Sequence, residues 1–157
     1  MTYVPTRVYL AGPYRCRDLI RELRTQLEAG GAYVSTASWL DEDCEITPAV
    51  TGAAPGLSDE QVQQFSLADL ADVDRAQYVI HLTPAVLDGG DPGSGGRHVE
   101  VGYALGRGIP VVTVGEPENI FARTATTCVP DFGAAVDYLD TQRAWTMSAV
   151  APTAECG

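Results

Sequence analysis

Apolar residues recur along this chain in short runs, separated by longer amphipathic segments. Residues 7–12, RVYLAG, form a run that ends at Gly12-Pro13, the pattern of a buried strand followed by a turn. Segment 17–31 sets Leu19, Leu23 and Leu27 four apart and closes on Gly30-Gly31, which predicts an amphipathic helix with a glycine stop. Residues 32–40, AYVSTASWL, return to strand character. A second helix is expected over 57–76, opened by Ser58 ahead of Asp59-Glu60, whose charges suit the positive end of the helix dipole. Residues 77–83, QYVIHLT, read as a strand, 84–96 as a glycine-rich loop, and the segment that follows as a third helix. A strand over 110–115, a short apolar piece around 126–129 and a helix over 132–145 complete the pattern. Residues 146–157 carry no pattern and are expected to fray, leaving one domain over 1–145.

Strands that alternate with helices imply a parallel sheet covered on both faces, so the expected fold is α/β and doubly wound, with about five strands. Ligands in such folds sit at the carboxyl ends of the strands, near the point where strand order reverses. The loops at that edge begin at Gly12, Thr36, Thr83 and Gly115. The acidic, Pro/Gly/Ala-rich segment 41–58 reads as a mobile loop that could cover the site.

Composition narrows the function. The chain has 157 residues, enough for one domain with one core. Its net charge of −11 argues against a nucleic-acid polymer as partner, since such proteins present a basic face. No run is long enough for a membrane span, and the N-terminus lacks a basic region followed by an apolar one, so a cytoplasmic location is expected. Cys16, Cys44, Cys128 and Cys156 are scattered without a CxxC pair, which speaks for neither a metal cluster nor a disulfide framework.

Three features converge on the ligand-binding edge. In YLAGPYR, Gly12 would let backbone approach a ligand and Arg15 offers a cation, although a glycine turn is equally an ordinary turn. In DLADVD, Asp69 and Asp72 are three apart and share a helix face, which a solvated acidic surface would also explain. Glu100 lies one turn into the third helix. It is either a carboxylate placed for the dipole, which would keep it ionised, or a functional one. His98 reads as an exposed polar residue on another side of that helix, Arg97 as a surface cation or a ligand contact, and Trp39 as either core or an aromatic wall for a base.

The blocks VYLAGPYR, SWL, ADLADVDRAQYVI, GGRHVEVGYALGRGIPVV and ENIF together resemble the nucleoside 2-deoxyribosyltransferase superfamily, over residues 6–140 in order. That superfamily includes 2'-deoxynucleoside 5'-phosphate N-hydrolases and CMP N-glycosidases. The resemblance implies a flavodoxin-like fold and cleavage of an N-glycosidic bond without metal or organic cofactor. It implies Glu100 as nucleophile, Tyr9 as the residue that positions it, and Asp69 as the acid that binds and protonates the base, with Asp72 a nearby alternative. Gly12, Gly96 and Trp39 would contact substrate. Asn119 resembles a residue that one subunit lends to its neighbour's site, which implies a homo-oligomer. The family's transferases carry an aspartate six residues before the nucleophile. Here that position is Ser94, which, with Arg15, resembles the 5'-phosphate contacts of the nucleotide hydrolases.

The chemistry fits these residue types independently. A carboxylate nucleophile and a second acid across a C–N glycosidic bond give a retaining displacement through an ester intermediate, with the carboxyl groups about 5–5.5 Å apart by analogy with retaining glycosidases. The expected substrates are a nucleoside or its monophosphate and a free nucleobase. The leading expectation is sugar transfer to another base. The rivals are hydrolysis of a nucleoside 5'-monophosphate and a non-catalytic nucleotide-binding module.

Overall fold

The structure, a computed structural model, describes residues 4–41, 58–87 and 95–150. Five parallel strands form one sheet: β1 (Thr6–Ala11), β2 (Tyr33–Ser35), β3 (Tyr78–Leu82), β4 (Val111–Val114) and β5 (Thr127–Val129). Their order is β2-β1-β3-β4-β5. Strand order reverses between β1 and β3, the flavodoxin-like arrangement expected of a doubly wound sheet. β1 and β3 are paired from Val8–Tyr78 to Ala11–His81, and β3 and β4 from Val79–Val111 to Leu82–Val114. The central strands are buried almost end to end, as a sheet covered on both faces requires.

Strand alternation assigns the faces. Val8, Leu10 and Gly12 point one way, toward α1 (Arg17–Glu28) and α5 (Phe132–Val150). On this side a Cβ at Gly12 would lie 2.6 Å from Ile20 Cδ1, so the glycine lets α1 close onto β1. Tyr33, in register with Thr6, donates its hydroxyl hydrogen to Asp140 of α5 at 2.5 Å. Tyr9 and His81 point the other way, toward α2 (Asp59–Arg75) and α3 (Gly96–Gly106). Helix α2 begins with a reciprocal capping box: Ser58 Oγ accepts from the Gln61 N–H, and the Gln61 side chain accepts from the Ser58 N–H.

Three boundaries differ from the sequence pattern. The apolar segment 32–40 is a strand only over Tyr33–Ser35, and Ser38–Asp41 is a 3₁₀ turn that buries Trp39 and Leu40. A short apolar run signals burial and does not by itself select strand over turn. A helix α4 (Ile120–Ala125) stands where no helical pattern was read, because six residues are too few to display the helical period. Helix α5 runs to Val150 and not to Trp145, and the hydroxyls of Thr146 and Ser148 return to the carbonyls of Gln142 and Ala144 in its last turns. Within the loop expected at 41–58, residues 42–57 lie outside the described residues, as does Ser94.

Candidate active site

The β1–β3 switch point places a tyrosine beneath a glutamate. Tyr9 is the fourth residue of β1, has no exposed surface, and donates its hydroxyl hydrogen to Glu100 Oε1 at 2.9 Å. Glu100 is the fifth residue of α3, past the turn where the helix dipole acts most strongly. The expectation that the dipole holds it ionised is corrected by its surroundings. Burial pushes its carboxyl up to about 7, and the negative charge of Asp69 adds to the rise. The Tyr9 hydrogen bond and the charge of Arg97 pull the other way without cancelling it. Desolvation outweighs the dipole because the cost of a buried charge exceeds what one helix end returns. Burial, with the neighbouring Glu100 charge, also raises the Tyr9 hydroxyl well above its ordinary range. It therefore remains a hydrogen-bond donor.

Asp69 and Asp72 share α2 yet do different things. Asp69 is half-buried and acts electrostatically on both Glu100 and Tyr9. Asp72 is buried and already engaged: its Oδ2 accepts from the Ser38 N–H at 2.7 Å and the Ser38 hydroxyl at 2.5 Å, and its Oδ1 pairs with Arg75. It ties the 3₁₀ turn after β2 to α2. Trp39, in that turn, is buried with its indole N–H donating to the Leu10 carbonyl at 3.1 Å, and its ring centroid lies 6.0 Å from that of Tyr14. Of the two readings open for Trp39, this is a core position beside β1.

At the exit of β1, Tyr14–Cys16 form a 3₁₀ turn that holds Arg15 exposed. Beside it the Arg17 guanidinium lies over the Tyr14 ring at 5.2 Å and donates to its hydroxyl at 2.8 Å. Gly96 opens α3 on an exposed position. Asn119 caps α4, its side-chain oxygen accepting from the Ala122 N–H at 2.9 Å. That cap accounts for the residue within a single chain.

The opposite side of α3 holds a second polar group, in which Arg97 and His98, both named from the sequence, meet His81 and Glu118, which were not. Arg97 is 4% exposed and pairs with both carboxylate oxygens of Glu118, donating from Nε to Oε2 at 2.9 Å. His81, fully buried on β3, approaches Glu118 Oε2 with Nε2 at 3.4 Å, and the half-buried His98 does so at 3.9 Å. Burial lowers the His81 ring to about 4 against the opposing charge of Glu118, so the 3.4 Å contact is that of a neutral ring and not an ion pair. Burial alone would raise Glu118, but the Arg97 hydrogen bond and charge hold it below the usual carboxylate range. A histidine inside the apolar run YVIHL was the one available signal for this group. Its partner Glu118 opens the ENIF block after β4, but nothing local to that block links it to β3.

Two cavities lie on this β4 side of the molecule. One of about 450 Å³ is lined by Gly115, Glu116, Arg123 and Cys128 among others. The other, of about 300 Å³, is lined by His81, His98, Gly102, Leu105, Asn119 and Phe121 among others. Neither includes Tyr9 or Glu100. No helix among the described residues is long and apolar enough to cross a membrane.

No family model and no curated protein matches the chain. Among solved structures, the Clostridium botulinum CMP N-glycosidase BcmB is similar to it at 14% identity, over 87% of this chain and 99% of that one, with a TM-score of 0.49.

Proposed function

We propose that this protein cleaves the N-glycosidic bond of a nucleoside, or of its 5'-monophosphate, through a covalent glycosyl–Glu100 intermediate, and that it passes the sugar to a second base. The observation that carries this reading is the Tyr9–Glu100 hydrogen bond of 2.9 Å at the switch point, with Asp69 close enough to raise Glu100.

The two roles in a retaining displacement call for one proton between two carboxyl groups: the nucleophile ionised and the acid protonated. A Glu100 that titrates at about 7 beside Asp69 holds that single proton near neutral pH. Moving it from Glu100 to Asp69 arms both residues in one event. Glu100 then forms a bond to C1' as the C1'–N bond breaks. The bonding pair leaves with the base, which takes the proton from Asp69. A ring nitrogen of the incoming base next attacks C1', releasing the Glu100 carboxylate and returning a proton to Asp69. Water in place of that base would make the reaction a hydrolysis. Tyr9 stabilises the ionised carboxylate at each return.

Arg15, exposed on the turn after β1, supports the hydrolytic alternative, since a cation there suits a 5'-phosphate. Asn119, exposed at the start of α4, would serve a neighbouring subunit's site in a homo-oligomer.

Chromatography of two incubations separates the readings: a deoxyribonucleoside with a second free base, and a deoxyribonucleoside 5'-monophosphate alone. The expected result is a new nucleoside carrying the second base. Free base released only from the monophosphate would replace transfer by hydrolysis. Ligand binding without turnover of either would leave a non-catalytic nucleotide-binding module.

A further inference from the structure

The group on the far side of α3 brings two imidazoles to one carboxylate. One ligand atom from each of His81, His98 and Glu118 lies within 4.8 Å of the other two. The contacts of 3.4 and 3.9 Å from the two Nε2 atoms to Glu118 Oε2 are close to the ~3.3 Å that separates neighbouring ligands around a tetrahedral ion with bonds near 2.0–2.1 Å. His81 is fixed in the core of β3, whereas His98 is half-buried on α3 and has room to swing the remaining few tenths of an ångström.

A hydrogen-bond relay sets the tautomer of His81. The Ala122 carbonyl can only accept, and it takes the Thr126 hydroxyl hydrogen at 2.5 Å. Thr126 Oγ1 can then only accept from Thr113, 2.7 Å away. Thr113 Oγ1, its own hydrogen so committed, accepts from His81 Nδ1–H at 3.3 Å. The hydrogen of the imidazole is thereby placed on Nδ1, and Nε2 carries a bare lone pair. That Nε2 is buried, makes no hydrogen bond among the described residues, and faces a carboxylate. A buried lone pair that faces an anion is unfavourable until something positive stands between them. The arrangement matches the second-sphere bond that orients a metal-bound histidine.

We infer that His81, His98 and Glu118 form a binding site for a divalent transition metal, of which Zn²⁺ suits the two imidazoles and one carboxylate best. Arg97 orients the carboxylate from the side, and the oxygens retain lone pairs for the ion. Its positive charge lowers the affinity relative to an unpaired carboxylate. A fourth coordination position opens on the cavity of about 300 Å³ that His81 and His98 line. The ion would clamp three elements: β3, the first turn of α3, and the segment between β4 and α4. Residues two apart on a helix point to nearly opposite sides, so His98 serves this site while Glu100 serves the other.

The test uses the full chain without a polyhistidine tag, stripped with chelator and then given Zn²⁺ or Co²⁺. Wild type should retain one ion per chain through gel filtration and melt at a higher temperature with Zn²⁺. The Co²⁺ form should show the visible bands of tetrahedral coordination. His98→Ala and Glu118→Gln, with folding verified by circular dichroism, should each lose at least tenfold in affinity and the tetrahedral bands. Thr113→Val, which removes the relay bond to His81 and leaves all three ligand side chains in place, should weaken binding by about tenfold. Glu100→Gln should keep the metal, since the site stands apart from the glycosidic reading. Absence of stoichiometric binding in wild type, unchanged binding in both His98→Ala and Glu118→Gln, or loss of the metal in Glu100→Gln would overturn the assignment.

Discussion

At the residue scale, Glu100 is held at a cost. An ordinary glutamate titrates near 4.5, and here burial carries the group to about 7. Between those values the folded chain keeps a proton that the unfolded chain has released. The stability this proton confers is complete below about pH 4.5 and is lost as pH rises through 7. By ~1.4 kcal/mol per tenfold change in proton affinity, the loss amounts to about 3 kcal/mol at most. Glu100→Gln should therefore be more stable than wild type at pH 8 and equal to it near pH 4.5, as read by urea denaturation at both values. A variant less stable at pH 8 would refute the burial account. The same substitution should abolish turnover. Tyr9→Phe removes the donor that favours the ionised form, so the acid limb of the pH–rate profile should move to higher pH. Activity below pH 7 should fall by roughly 10–100-fold, the worth of a hydrogen bond to a charged group. An unmoved acid limb would separate Tyr9 from the nucleophile.

At the element scale, buried polar ties hold the short segments whose patterns were weakest. The 3₁₀ turn over Ser38–Asp41 is anchored to α2 by two hydrogen bonds from Ser38 to Asp72. Asp72→Ala should destabilise the fold by about 1.5–3 kcal/mol, because two hydrogen bonds from Ser38 to a charged acceptor are lost. Equilibrium denaturation would measure it, and a change within ~0.5 kcal/mol would reduce Asp72 to a surface acid. The order of the long elements was legible from periodicity: the four-residue spacing in 17–31 and the Ser58 start of α2 both appear as read. Helix α4 was not legible, since six residues barely complete the turns that a period requires. Trp39 was legible as apolar, but only Leu10 across the fold determines where its indole points.

At the scale of the whole molecule, one helix divides two polar groups. The face of the sheet beneath α3 carries Tyr9 and His81, and α3 answers them with Glu100 on one side and Arg97 with His98 on the other. Val99, Ile120 and Phe121 are 65%, 71% and 68% exposed in the single chain, and Phe121 lines the cavity shared by His81 and His98. Large apolar side chains this exposed suit burial against a second copy of the chain. Light scattering should find a dimer or larger species, and Phe121→Asp should shift it toward monomer and lower activity if Asn119 serves the partner. A fully active monomer would remove that role.

The alternation of strands and helices, and with it the doubly wound sheet, is legible in the local pattern of the chain. Periods of 2 and 3.6 residues are local properties of a backbone burying one face of each element. The pattern also singled out Asp69 and Glu100 as candidates, and the family resemblance added Tyr9. Tertiary structure decided what each carboxyl group does. Charge, dipole and capping can be read from a few neighbouring residues, whereas desolvation depends on everything folded around a group. The Glu100 carboxyl is therefore raised to about 7 against what its helix position argued, and Asp72 is engaged by Ser38. His81 and Glu118, 37 residues apart in the chain, become neighbours only when β3, α3 and the segment after β4 meet.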